Sequence, residues 1–324
     1  MPTSFPDQNG QLLRLASSGM LGVSVVQLRD DVRGGALSTT RASSPPIHRR
    51  GALMRGRVIG LSVQRQMIID FLYFARSVPT VPVQKQMSIA ALAAARAACG
   101  DRPRWTAIFT KALALAAEDV PELRRAYVKF PWPHLYEYPS SKANIMIERD
   151  YQGEPALCPV SIKDPAHQPL PVIGGLLQHA ATAPLESMKD FQRWKRLTRL
   201  PRPLRRALWW FGLNIGRQRA NFFGTFGVSV YSALNAESLH PLSPLTALLN
   251  YGVMTQDGNV AVRIVYDHRV MDGATVARAL SRMEELLNSV ILEEVRSLAN
   301  LAEKNSHSAQ VTTLALKASG PLLR

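Results

Sequence analysis

Cysteine is scarce: Cys99 and Cys158 are the only two in 324 residues, far apart and in no paired motif. That excludes a disulfide framework and a Cys-rich structural zinc site, and it fits a reducing compartment. Long apolar runs are missing too. The nearest candidate, "MIIDFLYFA", is interrupted by Asp70 and falls short of the roughly eighteen residues that a membrane helix needs. The N-terminus "MPTSFPDQNGQLLRLASSG" has neither the charged start nor the apolar block of a secretory signal. No glycine-rich loop has phosphate-binding spacing, since "GVSVYSA" and "VIGGLL" lack it. No internal repeat occurs. A soluble, cytoplasmic protein without a metal site is the expectation.

Acidic residues are also few. Twenty-four Asp and Glu face 39 Lys and Arg, for a net charge of +15. Such a charge favours anionic partners: phosphates, nucleic acid or lipid head groups. The excess is local. Residues 193–219 hold nine Arg or Lys and no acid. No nucleic-acid-binding motif accompanies this charge, so nucleic acid is not an expected partner.

With 46% apolar residues, the chain can bury a large core. Residues 1–53 differ from the rest. "GGALSTTRASSPPIHRRGALM" is rich in Gly, Ser, Thr, Pro and Arg and has no lasting period. It reads as a disordered extension, or as chain upstream of a start at Met54. Residues 54–295 form the expected globular domain, and 296–324 a flexible polar tail.

Within the domain, "QRQMIIDFLYFAR" and "SIAALAAARAA" read as helices, separated by a stop at "SVPTVPV". In "PRWTAIFTKALALAAEDVPEL", Trp105, Ile108, Phe109, Ala112, Leu113 and Ala116 recur at helical spacing. Pro103 suits the first turn and Pro121 ends the run. Strand candidates follow: "ANIMIER", "ALCPVSI", "FFGTFGVSVYS", "TALLNYGVM" and "NVAVRIVYDH". A last helix should bury Val276, Leu280, Met283 and Leu287. The element order fits a single mixed α/β domain without regular βαβ alternation.

The stretch "VRIVYDHRVMDGATVARAL" carries the candidate chemistry. Val260, Val262, Ile264 and Tyr266 alternate with Ala261, Arg263 and Val265. If the strand stays extended, His268 emerges on the apolar side, where a neutral imidazole is favoured. A general base at neutral pH must be in that form. Asp272 and Gly273 stand where the next helix begins, and Asp caps helices well. Taken alone, His-x-x-x-Asp-Gly is equally a polar turn with a hydrogen-bonded histidine.

"YDHRVMDGATVARAL" resembles the catalytic signature of the acyltransferase subunits of 2-oxo-acid dehydrogenase complexes. The likeness extends to "FGTFGVSVYSALNAESLHPLSPLTALLNYGVM" and to "WTAIFTKALALAAEDVPEL", and covers roughly residues 84–292. More distantly, the motif is shared with chloramphenicol acetyltransferase, where a second histidine usually stands at the place of Asp267. The resemblance implies a chloramphenicol-acetyltransferase-like α/β fold, with a mixed β-sheet packed with helices. It also implies homotrimers with the active site between subunits. The implied reaction is acyl transfer with coenzyme A or acyl-coenzyme A as substrate. His268 matches the base that deprotonates the attacking thiol. Asp272 matches the organiser of the turn, and Ser229 the donor to the oxyanion, with Thr225 and Ser232 as fallback donors. Two departures stand out. Val230 replaces the Asn that often follows the strand Ser, and no lipoyl or subunit-binding domain pattern is found. The implied enzyme stands alone, with no lipoyl group on this chain. The alternatives are a complex core served by a lipoyl domain in trans, or a non-catalytic scaffold.

The basic stretch "WKRLTRLPRPLRRALWWFGLNIGRQRA" is least like the family. Leu204, Ala207, Leu208, Phe211 and Ile215 fall on one helical face, with Arg205 and Arg206 off it. Three readings stay open: an interfacial helix on an anionic membrane, a helix packed on its own domain or a neighbouring subunit, or a cationic mouth for the phosphates of coenzyme A.

Overall fold

A period of two from Asn259 to Asp267 sends alternate side chains to opposite faces, and that strand lies inside a six-stranded sheet. The computed structural model describes residues 56–230 and 236–301. The proposed extension 1–53, residues 302–324 of the tail, and Ser232 lie outside the described residues. The sheet contains β1 (Thr80–Ser88), β4 (Lys142–Tyr151), β5 (Glu154–Lys163), β6 (Phe226–Val228), β7 (Ala247–Tyr251) and β8 (Asn259–Asp267). The order is β1-β8-β7-β6-β4-β5; β6 runs parallel to β4 and β7, and the other pairings are antiparallel. A hairpin of β2 (Arg125–Val128) and β3 (His134–Glu137) stands apart.

Helices cover both faces. On one lie α2 (Ala90–Ala98), α3 (Trp105–Asp119), α4 (Leu170–Thr182) and α8 (Gly273–Asn288), packed over Val260, Val262, Ile264, Val228 and Ile145. The expected α8 residues Val276, Leu280, Met283 and Leu287 are all fully buried there. Burying each such side chain contributes about 1.5–3 kcal/mol. Residues 290–301 continue as helix beyond position 296, where the apolar pattern weakens, and bury Val295 and Ala299.

The opposite face carries a second apolar cluster. It joins Met67 of α1 (Val63–Ala75), Trp194 of α5 (Lys189–Thr198), Trp209 and Leu213 of α6 (Arg202–Asn214), and Phe223 of α7 (Gly216–Phe223). Trp209 stacks on Phe74, with ring centroids 5.9 Å apart and planes 6° apart.

One expectation needs correction. "SVPTVPV" is not simply a break, because Thr80–Ser88 is a strand containing Pro82. It pairs only with β8, and an edge strand tolerates the missing proline N–H. The basic segment, for which three readings are open, turns its apolar stripe outward. Leu204, Leu208 and Phe211 stay 50%, 45% and 46% exposed, while Arg205, Trp209 and Leu213 are buried. The cause lies on α1. Asp70 is wholly buried, and Arg205 reaches it with a charge-assisted hydrogen bond from Nε. Arg206 Nε stands 3.6 Å from the other carboxylate oxygen. A buried carboxylate left without a cation is costly, so this pair orients α6.

Replacing Arg205 with Leu is expected to destabilise the protein by about 3–5 kcal/mol in urea unfolding. A loss below about 1 kcal/mol would mean that the pair does not orient α6.

Candidate active site

The sheet register decides where the candidate residues stand. β8 ends at Asp267, whose side chain is fully buried and whose N–H donates to Thr246 O at 2.8 Å. Two oxygens of that carboxylate receive Arg269: Nε to Oδ1 at 2.9 Å and an Nη to Oδ2 at 2.7 Å. The Arg269 backbone N–H also donates to Oδ1, at 3.0 Å. This bidentate arrangement is the strong form of the carboxylate–guanidinium pair. Arg269 in turn lies over the Tyr127 ring, 4.4 Å from its centroid. Buried Arg219 donates to the carbonyls of Tyr127, Leu213 and Pro244.

His268 sits between these two clamped residues, at the first position of the turn. Its backbone N–H donates to Pro79 O at 3.0 Å. The extended-strand expectation fails here: the strand has already ended, and the side chain is 49% exposed in the single chain rather than enclosed by an apolar face. The buried charge pair at Asp267 turns the chain one residue before the imidazole. The ring leans on Tyr266, with centroids 5.6 Å apart, and Nδ1 faces Asp272 Oδ1 at 3.6 Å. That distance is beyond a direct hydrogen bond. Asp272 takes the N-cap position of α8 without a side-chain cap bond, and its side chain is 84% exposed.

Ser229 lies elsewhere. It directly follows β6, its N–H donates to Leu249 O at 3.1 Å, and its carbonyl accepts from Asn250 Nδ2 at 2.7 Å. Val228 pairs with Leu249, and Leu249 with Ile264, so Ser229 is level with Arg263. His268 is five residues further along β8, about 16 Å in the strand direction. One chain therefore brings His268 and Asp272 together but not Ser229. Ser229 instead lines an apolar cavity of about 300 Å³. Of the fallback donors, Thr225 is buried and committed: its Oγ1 accepts from Lys142 N–H at 2.9 Å and donates to Lys142 O at 3.2 Å.

Sequence reasoning took Asp272 as the organiser of the turn and passed over Asp267, Arg269 and Arg219. Arginine two residues after an aspartate at a strand end was the available signal. It also passed over His240, whose Nε2 is 2.8 Å from Thr80 Oγ1 on the residue paired with Asp267. Burial pushes the Cys158 thiol up to about 11 and raises that of Cys99 as well. Neither supplies a thiolate nucleophile at neutral pH. Among the described residues no group of three His, Cys, Asp or Glu could hold a metal ion. No described helix is long and apolar enough to cross a membrane.

This arrangement of sheet and helices recurs in solved structures. A probable dihydrolipoamide acetyltransferase from Listeria monocytogenes 4b F2365 matches with TM-score 0.53 and 16% identity over 72% of this chain and 95% of that one. The fold is that of an acyltransferase catalytic core. The dihydrolipoamide acetyltransferase of Azotobacter vinelandii matches with TM-score 0.52 and 16% identity, over 77% of this chain and 98% of that one. A truncated catalytic core of the 2-oxoacid dehydrogenase multienzyme complex from Thermoplasma acidophilum gives 0.51 and 15%, over 72% and 99%. No family model and no curated protein matches the sequence.

Asp267→Asn should destabilise the protein by about 3 kcal/mol or more, because it leaves Arg269 without its buried counter-charge. Asp272→Ala, which removes an exposed carboxylate with no cap bond, should cost less than about 1 kcal/mol. Comparable losses in the two urea transitions would contradict this division of roles.

Proposed function

We propose that the protein is a coenzyme A-dependent acyltransferase in which His268 is the general base. The observation that carries this reading is the placement of His268. It is accessible, it stands on a turn braced by a buried charge pair, and it does so within an acyltransferase-core fold. The Azotobacter study names a serine, a histidine and an asparagine four positions after that histidine as having roles in its catalytic mechanism. Here His268 is followed at the same interval by Asp272.

The chemistry is direct transfer between thiols. Nδ1 of His268 faces Asp272, which leaves Nε2 for the acceptor thiol. Nε2 takes the S–H proton, and the thiolate attacks the thioester carbonyl carbon. Ser229 Oγ–H donates to the resulting oxyanion. Collapse breaks the bond to the donor sulfur, which leaves as a thiolate and recovers the proton from the imidazolium. A free thiol ionises near pH 8.5, so a base at the site raises the reactive fraction.

The separation of Ser229 from His268 within one chain supports an active site between two copies, with the histidine of one facing the serine of the next. A closed homotrimer supplies this pairing at each interface. The Thermoplasma structure is the core of a multienzyme complex, which supports self-association.

The outward face of α6 favours a further element, contact with an anionic bilayer. Leu204, Leu208 and Phe211 project from it, with Phe222 39% exposed nearby. Arg202 opens α6, and the flanking segments carry Arg193, Arg196, Arg199 and Arg217. Apolar anchors among cations match the chemistry of an interfacial helix.

His268→Ala should lower turnover by about a hundred- to ten-thousand-fold, and Ser229→Ala by about a hundred-fold. Mixing the two variants through unfolding and reassembly should restore about a quarter of the wild-type rate, because only interfaces that combine an intact histidine with an intact serine can work. No recovery in assembled mixtures would mean that the two residues do not meet across an interface. For the bilayer contact, the protein should float with vesicles containing phosphatidylserine but not with neutral ones, and Phe211→Glu should abolish flotation. An altered oligomeric state in that variant would assign the face to a second copy instead.

A further inference from the structure

The cavity beside Ser229 has a composition that narrows the substrate. It lies between α1, α5 and the sheet. Ile68, Phe71 and Leu72 come from α1, Trp194 from α5, and Leu248 from β7. No charged side chain lines it among the described residues. Its floor is open because residue 227 is glycine. A Cβ there would stand 2.6 Å from Leu248 Cδ1, so any larger residue would displace Leu248, which itself lines the cavity. Leu72 and Leu242 at its edge are 41% and 43% exposed, which leaves a mouth to solvent.

An uncharged, apolar cavity next to the residue read as oxyanion donor suits only the acyl half of a thioester. Asn144, Ser229, Ser238 and Ser243 are its polar side chains, and none is a cation, so the phosphates of coenzyme A would be desolvated there without a counter-charge. An acetyl group would leave most of the volume empty. A volume of about 300 Å³ holds a chain on the order of six to ten carbons, if a methylene takes up about the share of one water molecule. We infer that this cavity is an acyl-binding pocket, and that the preferred donor carries a medium-length aliphatic chain rather than acetyl. The inference rests on the acyltransferase reading. Trp194 and Phe223 form a wall shared with a second apolar cavity of about 260 Å³ behind it. They cap the length that the first cavity accepts.

The test uses the full chain and a series of acetyl-, butyryl-, octanoyl- and palmitoyl-coenzyme A, kept below micelle-forming concentrations. Binding is measured by calorimetry to the His268→Ala variant, so that turnover plays no part, and kcat/KM is measured on wild type. Affinity should rise about three- to fourfold per methylene up to octanoyl, so octanoyl-coenzyme A should bind at least a hundredfold tighter than acetyl-coenzyme A. It should then level off or fall for palmitoyl. Leu72→Trp and, independently, Ile68→Trp should weaken octanoyl-coenzyme A at least tenfold while leaving acetyl-coenzyme A within twofold. Affinity independent of chain length, or insensitive to both substitutions in folded protein, overturns the inference. Efficient acetyl transfer with no chain-length dependence would overturn the pocket and leave the transferase reading standing. Chain-length-dependent binding with no turnover of any thioester by wild type would do the reverse.

Discussion

A single buried carboxylate shapes the working end of this protein. Asp267 ends β8 with no exposure to solvent, and its charge is compensated by the guanidinium and N–H of Arg269 two residues on. Two charges in a low-dielectric setting hold each other in a narrow range of geometries, since any loosening strands a charge away from water. The intervening residue, His268, has no freedom to follow the strand and is turned outward. Its own N–H is fixed by Pro79 O, just before the neighbouring edge strand β1. The imidazole is thus held by its backbone and left free at its ring, as a proton carrier needs to be.

The same sheet divides the remaining labour. One face is covered by α3, α4 and α8 over a continuous core. The other is covered less tightly by α1, α5, α6 and α7, and the cavity beside Ser229 opens there. Histidine and serine lie two strands and several residues apart. A site that used both would need a neighbouring copy to bring them together. Burial raises both cysteine thiols, so neither offers a ready thiolate at neutral pH.

Much of this was legible in the sequence, for physical reasons that can be named. α3 and α8 keep strict helical spacing and bury it, and β8 keeps a period of two, so the fold class followed from periodicity. The His-x-x-x-Asp-Gly spacing, with the neighbouring blocks, pointed to the family resemblance. What escaped depended on partners distant in sequence. Asp70 and Arg205 are 135 positions apart, and their pairing sets which face of α6 turns inward. Asp267 looked like a substitute for a histidine, whereas it is the residue that orients the turn. Pro82 looked like a breaker because edge position is a property of the sheet, not of the strand. The cavity was invisible because its walls come from segments far apart in sequence, among them Ile68, Trp194 and Leu248.

The account stands or falls on a shared site. A structure of the assembled protein with a bound acyl-thioester analogue would measure it most directly. The account predicts His268 Nε2 of one protomer about 3 Å from the ligand sulfur, and Ser229 Oγ of the partner subunit about 3 Å from its carbonyl oxygen. A ligand bound far from His268, or an assembly in which no interface brings the two residues to one ligand, would contradict it.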